Sequence, residues 1–374
     1  AVNVGGQTIH SFFGFPPRLL TSDDIRRSRN GRVMRALKLL IIDEVSMVRA
    51  DLMWAIDRAL RLNRKRPDEP FGGVRLMLFG DLHQLPPVVQ STDEAQHLTD
   101  TFGAPFFFAV PALQEGEGTT LLELNEVFRQ RDPELLRVLN QVREGRADDD
   151  DLALLNRSVK PIRTLAEGHD YVILTPTNAA ATRINAAFLK ALDGEVHTYD
   201  AAIAGDYNKG AQPTDAALTL KVGAKVILLR NDPDRRWVNG TIAQVTGLDD
   251  DTVEIEIEGR RFDVERVAWE QRRYAFDQQA EKIVETVAGT FTQFPLRLAW
   301  ALTIHKSQGL TLDKVYIDLG RGTFAHGQAY VALSRCRTLE GLSLARPLTP
   351  RDILFDESAM GYRALFPALA PNGA

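Results

Sequence analysis

The stretch LKLLIIDEVSM at residues 37–47 decides the fold that this sequence predicts. Its apolar run ends directly in Asp43 and Glu44, a pattern typical of a buried strand in a parallel sheet. The next residues carry apolar side chains at helical spacing, and residues 74–79 then repeat the strand pattern just before Asp81. This order of strand, helix and strand predicts the βαβ unit of a doubly wound α/β sheet.

Two polar loops follow the predicted strands, DEVSM at residues 43–47 and GDLHQLPPV at residues 80–88. Ligands of such sheets bind at the carboxyl ends of the strands, where both loops begin. A carboxylate such as Asp43 can hold Mg²⁺ there, and an adjacent acid such as Glu44 can orient an attacking water. Gln84 offers a neutral amide that can sense a terminal phosphate. The alternative interpretations are an acid that caps the next helix and a proline-rich turn.

The α/β pattern returns in the second half of the chain, and a region with a different sequence pattern interrupts it. Residues 171–174 and 315–319 are predicted strands, and residues 179–189 are a predicted helix. From residue 218 to about 276, short alternating strands separated by Asn-Asp-Pro, Asn-Gly and Glu-Gly turns predict a small inserted β-barrel. The predicted domains are the first lobe (1–120), the second lobe in two parts (121–217 and 291–355), the barrel (218–290) and a tail (356–374).

Composition excludes several classes of protein. The net charge of -5, from 45 Lys and Arg against 50 Asp and Glu, argues against a uniformly basic nucleic-acid coat. The single cysteine, Cys336, excludes a disulfide framework, and no Cys/His cluster has zinc spacing. No apolar stretch is long enough for a transmembrane helix, and the first ten residues lack the basic and apolar regions of a signal peptide.

Positive charge is concentrated in residues 18–38, which we call the basic segment. It carries seven basic residues against two acids, Asp23 and Asp24. A run of this kind is usually a solvated face, and the alternative is a surface that faces DNA. Its basic residues are Arg18, Arg26, Arg27, Arg29, Arg32, Arg35 and Lys38.

A short repeat and two arginines add to the polar loops. The string Thr-Ile-His-Ser at residues 8–11 reappears as Thr-Ile-His-Lys-Ser at residues 303–307, which suggests two duplicated lobes with equivalent loops. Phosphoryl transfer also needs cations near the developing negative charge. Arg129 and Arg335 are the candidates, because each follows an apolar segment rather than lying on a polar face.

In their order along the chain, these motifs resemble those of superfamily-one DNA helicases of the RecD/PIF type. SMVRADLMWAIDRALR at residues 46–61 is similar to the segment that marks the PIF branch, and WVNGTIAQV at residues 237–245 matches the β-barrel insert of this group. The resemblance runs from residue 1 to about residue 344. The motifs that carry it are GGQTIHSFFGFP (5–16), DEVSM (43–47), GDLHQLPPV (80–88), FRQ (128–130), TIHKSQG (303–309) and YVALSR (330–335).

The resemblance implies two RecA-like parallel-sheet lobes, the first incomplete, with the small β-barrel inserted in the second. It implies an ATP-dependent DNA helicase or translocase that moves 5′ to 3′ on single-stranded DNA, with ATP and Mg²⁺ as cofactors. The expected partners are single-stranded DNA and fork DNA, without a membrane. The active form is expected to be a monomer in the cytoplasm, associated with the nucleoid in a bacterium, with roles in DNA repair and recombination.

The resemblance also assigns residues to these roles. Asp43 and Glu44 would be the Mg²⁺-binding and water-activating acids, and Gln84, Arg129 and Arg335 would contact the γ-phosphate. Hydroxyl, His and Lys side chains donate hydrogen bonds to phosphates. The expected DNA-contact residues are Thr8, His10, Ser11, Phe12, Thr175, Pro176, Thr177, Asn178, Thr303, His305, Lys306, Ser307, Gln308 and Gly309.

Two interpretations are open for the aromatic and the basic residues near the start of the chain. Phe12, Phe13 and Phe15 offer faces on which bases can stack, or they belong to an ordinary core. The region at about residues 15–36 is either a wedge-like element that faces duplex DNA or a solvated face.

One motif of the family is absent from the 374 residues. No segment fits the phosphate loop, G-x-x-x-x-G-K-[ST], whose Lys and backbone amides hold the phosphates and whose Ser or Thr completes the Mg²⁺ shell beside Asp43. In the family this loop precedes GGQTIHSF, so we expect a helicase that lacks its N-terminal segment. A hydrolysis-dead protein that still binds single-stranded DNA is the alternative. A nuclease subunit has little support, since no nuclease acid/Lys cluster is visible.

Overall fold

A computed structural model of the protein describes residues 6–28, 31–114, 119–124, 126–130, 132–277 and 282–366. The helices are α1 (Ile9–Phe13), α2 (Gly31–Ala36), α3 (Ala50–Arg64), α4 (Thr92–Phe102), α5 (Pro111–Gln114), α6 (Pro133–Arg143), α7 (Asp149–Asn156), α8 (Leu165–Gly168), α9 (Asn178–Ala191), α10 (Gln328–Leu333) and α11 (Tyr362–Leu365). The strands are β1 (Leu39–Ile42), β2 (Arg75–Leu78), β3 (Val172–Thr175), β4 (His197–Asp200), β5 (Ala202–Gly205), β6 (Ala217–Leu220), β7 (Lys225–Leu228), β8 (Ile242–Leu248), β9 (Thr252–Ile257), β10 (Arg260–Glu265), β11 (Val267–Asp277), β12 (Lys282–Gln293), β13 (Leu296–Leu298), β14 (Ala301–Thr303), β15 (Val315–Ile317) and β16 (Leu342–Leu344). Within these ranges, no helix has the length and apolar character needed to cross a membrane.

The first lobe contains the βαβ unit that the sequence predicts. β1 and β2 pair in parallel, with Leu39 opposite Arg75, and α3 forms the connection between them. Ile56 and Leu60 of α3 are fully buried in the same core as Ile42. The helix therefore covers one face of the strand pair, as its apolar stripe predicts.

The described residues cover only one face of β1 and β2, which corrects the expectation of strands buried on both faces. Leu39, Ile41 and Met77 are 43%, 56% and 46% exposed. Because successive side chains of a strand point to opposite faces, these residues lie away from α3. A short apolar run does not distinguish a strand that is covered on both faces from one that is covered on a single face.

The second lobe is built around a four-stranded parallel sheet in the order β14–β3–β15–β16. β3 pairs with both β14 and β15, and all four of its residues are buried. This is the pattern expected of a central parallel strand. Leu135 of α6, Leu155 of α7 and Val331 of α10 share one core with the sheet. The prediction of two α/β lobes with parallel sheets is therefore confirmed.

Between β3 and β14, the chain forms antiparallel sheets. Five strands are ordered β10–β9–β8–β7–β13, three are ordered β11–β12–β5, and β4 pairs with β6. These strands run from His197 to Leu298, beyond both ends of the predicted range 218–290. The sequence missed β4 and β5 because four-residue strands are too short for a clear alternation. The antiparallel insert is confirmed, and its closure into a barrel stays a prediction.

The C-terminal residues complete the core of the first lobe. Ala359 is fully buried and Phe366 is 8% exposed, in the same hydrophobic cluster as Phe106 and Phe108. The ring of Tyr362 lies 6.2 Å from that of Phe108. No pattern in the sequence predicts this packing, because it joins segments from opposite ends of the chain.

Phe366→Ala is expected to destabilise the first lobe by about 3 kcal/mol, because it removes a buried aromatic ring and leaves a cavity. The calorimetric transition of the lobe should then move down by roughly 6–12 °C. The neighbouring Leu365 is 40% exposed, so Leu365→Ala is the matched control and should shift the transition by about 2 °C or less. Equal shifts for the two variants in differential scanning calorimetry would contradict this packing.

Candidate functional site

Acidic side chains meet where β1 and β2 end. Asp43 follows β1 and Asp81 belongs to the loop after β2, and the parallel pairing brings both to one edge of the sheet. Gly80 allows the two loops to touch, since a Cβ there would lie 3.1 Å from the backbone N of Val45. Glu44 adopts a left-handed conformation with a φ of 52°, which is uncommon for a residue other than glycine. This edge therefore carries three carboxylates on two loops that lie in contact.

The loop after β2, which we call the sensor loop (residues 81–85), is inserted into the second lobe. Leu85 is fully buried in the core of the second lobe rather than in that of the first. His326 of the second lobe donates from Nε2 to the Leu82 carbonyl (2.9 Å). Its Nδ1 accepts from the backbone N of Asp356 (2.9 Å), which fixes the tautomer of the ring. The sensor loop thus joins the two lobes.

Arg143, at the end of α6, also holds the sensor loop from the second lobe. Its Nη2 lies 3.6 Å from Asp81 Oδ1, and its carbonyl lies 3.0 Å from His83 Nδ1. Burial and the Arg143 charge lower the pKa of His83, so the neutral ring donates to that carbonyl. The sequence contains no signal for Arg143, because its position depends on which loop α6 packs against.

Two side-chain amides connect the acids across the interface between the lobes. Gln84 donates from Nε2 to Asp81 Oδ2 (3.2 Å). Gln308 of the second lobe donates from Nε2 to Glu44 Oε2 (2.9 Å) and to Gln84 Oε1 (3.2 Å). The sequence assigns Gln308 to the DNA path, whereas these hydrogen bonds lie within the acidic cluster.

Arg335 is a buried cation at the same interface. It is 1% exposed and donates to the carbonyls of Val331 (2.8 Å) and Leu310 (3.3 Å) and to Ser334 Oγ (2.8 Å). Burial, followed by the charge of Arg129, lowers the pKa of Arg335 to about 10. Its hydrogen-bond acceptors within the described ranges are neutral oxygens. A buried guanidinium in such surroundings is suited to bind an anion.

The FRQ segment lies against the loops around Arg335. Arg129 donates from Nε to Thr311 Oγ1 (3.1 Å), and Gln130 donates from Nε2 to the Ser334 carbonyl (2.8 Å). The contact of Gln130 attaches the FRQ segment, which lies between the two lobes in the sequence, to the turn that carries Arg335.

The pKa of Glu44 responds to charged side chains from both lobes. The pKa of Glu44 is raised, first by burial of the carboxyl group and then by the negative charge of Asp43. The positive charges of Arg335 and Arg129 oppose this shift, because each lowers the pKa of Glu44. The structure therefore brings the five sequence-predicted catalytic residues into one cluster: Asp43, Glu44, Gln84, Arg129 and Arg335.

The acidic edge fits a Mg²⁺ ion only in combination with a ligand. Among the described residues, no group of three or more His, Cys, Asp or Glu side chains is arranged to hold a metal. Asp43 is exposed at the strand end, and Asp81 lies on the adjoining loop. Mg²⁺ is usually bound by one or two carboxylates together with water and phosphate oxygens, so this donor set suits an ion that arrives with a nucleotide.

In the first predicted DNA loop, at residues 8–15, some of the expected contact residues are exposed and others are buried. Phe13 and Phe15 are 7% and 6% exposed and stack with their ring centroids 5.3 Å apart. The core interpretation is therefore correct for these two rings, and they do not stack on bases. Thr8 caps α1, since its Oγ1 accepts from the backbone N of Ser11 (3.3 Å). The residues of this loop that keep exposed surface are Thr8, His10, Ser11 and Phe12.

The two other predicted DNA loops lie side by side in the second lobe, where the backbone N of Ile304 donates to the Thr175 carbonyl (3.0 Å). Thr175, Thr303 and Ser307 are at most 4% exposed, so in this conformation they brace the loops. Burial lowers the pKa of His305, so its ring is neutral at pH 7. The members with exposed surface are Pro176, Thr177, Asn178, His305, Lys306, Gln308 and Gly309.

The basic segment is anchored to α3. Asn63 accepts at Oδ1 from the backbone N of Ser28 (2.9 Å), and Arg64 donates to the Met34 carbonyl (2.7 Å). Arg29 lies outside the described residues. The basic residues that the structure leaves exposed are Arg18, Arg26, Arg27, Arg32, Arg35 and Lys38.

Family profiles and relatives agree on one group of proteins. The profile of PIF1-like helicase matches residues 1–151, and that of the DNA helicase Pif1 2B domain matches residues 211–248. ATP-dependent DNA helicase PIF1 of mouse is 36% identical over 91% of this chain and 51% of the mouse protein. ATP-dependent DNA helicase Pif1 of Bdellovibrio bacteriovorus is 33% identical over 99% of this chain and 81% of its own length. The chain thus spans 51% of the mouse relative.

Solved structures of Pif1 from Bacteroides resemble this chain to different degrees. The unliganded protein matches with a TM-score of 0.87 at 39% identity, covering 97% of this chain and 84% of the other. The same protein bound to single-stranded DNA matches with a TM-score of 0.68 at the same identity and coverage. The conformation described here is therefore closer to the unliganded structure than to this DNA complex.

Arg335→Met is expected to speed hydrogen exchange of the backbone at residues 303–310 by roughly tenfold, because losing side-chain hydrogen bonds to that loop costs about 1 kcal/mol each. The control is Arg337→Met, since Arg337 is 43% exposed and pairs with Asp313 at 3.0 Å on the surface. Such a pair contributes little, so exchange should not change. Mass spectrometry of the two variants measures the difference, and an unchanged loop in Arg335→Met would refute the buried contact.

Proposed function

Because the chain belongs to the PIF1-like helicase family, we propose that it is an ATP-dependent DNA helicase or translocase that moves 5′ to 3′ on single-stranded DNA. The observation that carries the proposal is the cluster at the lobe interface. There, the acids that follow β1 and β2 of one lobe lie beside Gln308 and Arg335 of the other. A nucleotide bound between the lobes would touch both of them, so its hydrolysis can open and close the interface.

The proposed nucleotide chemistry divides among the clustered residues. Asp43 would hold a Mg²⁺ ion, which would supply positive charge against the phosphates, and Gln84 would contact the γ-phosphate. Glu44 orients the attacking water, and its raised pKa makes it a better proton acceptor. Arg129 and Arg335 stabilise the charge that develops in the transition state.

The proposed DNA path follows the exposed members of the three loops. Lys306 supplies a positive charge, while Thr177, Asn178 and neutral His305 donate hydrogen bonds to phosphates. Phe12, which is half-buried, is the aromatic residue that we assign to contact a base on this path. We assign the exposed cations of the basic segment to the duplex at a fork, and we propose that the chain is active as a monomer.

A second candidate function is favoured by one observation. The 374 residues contain no phosphate loop, G-x-x-x-x-G-K-[ST]. A polypeptide of these residues would then bind single-stranded DNA without hydrolysing ATP, because the remaining catalytic groups act only on a nucleotide that is already positioned.

The chain is expected to bind a single strand of about 15 nucleotides more tightly than a duplex, with an affinity that falls as salt rises. Lys306→Met should weaken binding about fivefold or more at low salt, since one phosphate contact is lost. Lys190→Met is the control, because Lys190 is exposed at the far end of α9 from Asn178. Fluorescence anisotropy measures all three proteins, and no binding by the unchanged chain at low salt would refute the proposal.

A purified polypeptide of these 374 residues is expected to release phosphate from ATP at a rate indistinguishable from background, with or without DNA. The backbone donors and the Lys of a phosphate loop, which hold the triphosphate, are absent from the sequence. A coupled phosphate-release assay, together with titration of a fluorescent ATP analogue, measures both properties. DNA-stimulated turnover would show that another segment holds the phosphates, and it would exclude the hydrolysis-dead alternative.

A further inference from the structure

The chain passes from the core of the second lobe to the core of the first over a short stretch after residue 353. Ile353 packs against the second-lobe core that contains Leu348, whereas Ala359 is fully buried in the first-lobe core. Residues 354–358 join these two anchors, and an extended chain of that length spans at most about 20 Å. The lobes therefore cannot move far apart at this point unless one anchor leaves its core.

Hydrogen bonds hold the second-lobe side of this stretch. The backbone N of Gly327 donates to the Leu354 carbonyl (3.3 Å). The backbone N of Asp356 donates to Nδ1 of the buried His326 (2.9 Å). Because these partners belong to the loop before α10, the chain stays attached to the second lobe as far as Asp356.

Apolar burial holds the first-lobe side. Ala359 and Phe366 lie in one hydrophobic cluster with Phe108. The ring of Tyr362 lies 6.2 Å from that of Phe108, and a Cβ at Gly361 would lie 3.6 Å from Cε2 of the same ring. These contacts bury both ends of the segment 359–366 in the first lobe.

Between the two anchors, the chain passes beside the sensor loop. The ring of Phe355 lies 6.3 Å from that of His83 and 5.4 Å from that of His326. Gly145, just after α6, leaves room for this ring, since a Cβ there would lie 2.6 Å from Phe355 Cβ. A Cβ at Gly327 would clash with the His83 carbonyl, so the loop bonded by Leu354 lies directly against the sensor loop.

We propose that residues 354–366, which we call the C-terminal strap, hold the two lobes together and keep the sensor loop in place before any ligand binds. Each lobe buries one end of the strap, so the strap keeps the effective concentration of one lobe beside the other high. The resting position of Gln84 at the interface then depends on a segment that carries none of the sequence motifs. To separate on this side, the lobes must release the strap from one core.

The test separates the length of the strap from the burial of its side chains. In one variant of the 374-residue chain, about ten Gly and Ser residues are inserted after Glu357, so both anchors remain and a flexible link joins them. The control carries the same insertion after Gly194, an exposed residue between α9 and β4 with open space around it. Hydrogen–deuterium exchange of residues 81–85 and scanning calorimetry are measured for each protein.

Lengthening the strap is expected to speed exchange of the sensor loop by about threefold or more, because a longer link lowers the effective concentration of one lobe beside the other. The calorimetric transition of the first lobe should stay within about 2 °C of that of the unchanged chain, since Phe366 remains buried. The control insertion should change neither quantity. Equal exchange in the two insertion variants would overturn the proposal, because the strap would then only fill the first-lobe core.

A second pair of variants tests the same link from the first-lobe side. Phe366 and Leu52 are each 8% exposed and belong to the same hydrophobic cluster, so Phe366→Ala and Leu52→Ala both leave a cavity in the first lobe. Well below the unfolding transition, Phe366→Ala should speed exchange at residues 323–327 of the second lobe by about threefold or more, because it also loosens the strap.

Leu52→Ala lies outside the strap and should leave exchange at residues 323–327 unchanged. Equal exchange in Phe366→Ala and Leu52→Ala would contradict the link between the lobes. These measurements use neither DNA nor ATP, so their results do not depend on the proposed function.

Discussion

Leu85 follows a strand of the first lobe, yet it is fully buried in the hydrophobic core of the second. The rest of the site depends on this insertion. It holds the second lobe beside the carboxyl edge of β1 and β2, and it leaves Gln84, the preceding residue, at the interface. Arg143 and His326 hold the same loop by polar contacts. Apolar burial and polar contacts together therefore fix the position of one lobe relative to the other.

The charges at the interface follow from this arrangement. Acids from the first lobe accumulate at the strand ends, and Arg335 from the second lobe is buried beside them with neutral oxygens as partners. Burial of a cation that has no carboxylate hydrogen-bond partner among the described residues is costly, and the lowered pKa of Arg335 expresses that cost. An anionic ligand between the lobes would relieve it. Arg335 would therefore favour closure of the two lobes around a phosphate.

The proposed DNA path and the proposed nucleotide site are adjacent in this fold, because residues 303–310 contribute to both. Lys306 is exposed on the outer side of the loop, Gln308 bonds the acidic cluster, and Arg335 bonds the backbone on either side of Gln308. No intervening element is needed for one site to influence the other. The buried hydroxyls of Thr303 and Ser307 contribute by bracing the loop against its own backbone.

The sequence by itself determined the βαβ unit, the parallel sheets and the acids at the strand ends, because apolar runs and the polar residues that follow them are local patterns. Only the tertiary structure decided that Phe13 and Phe15 belong to the core, that Phe366 completes the first lobe, and that Gln308 turns toward Glu44. Arg143 carries no local signal at all. The physical reason is shared: burial and hydrogen-bond partners are set by contacts between distant segments, and no pattern of neighbouring residues specifies them.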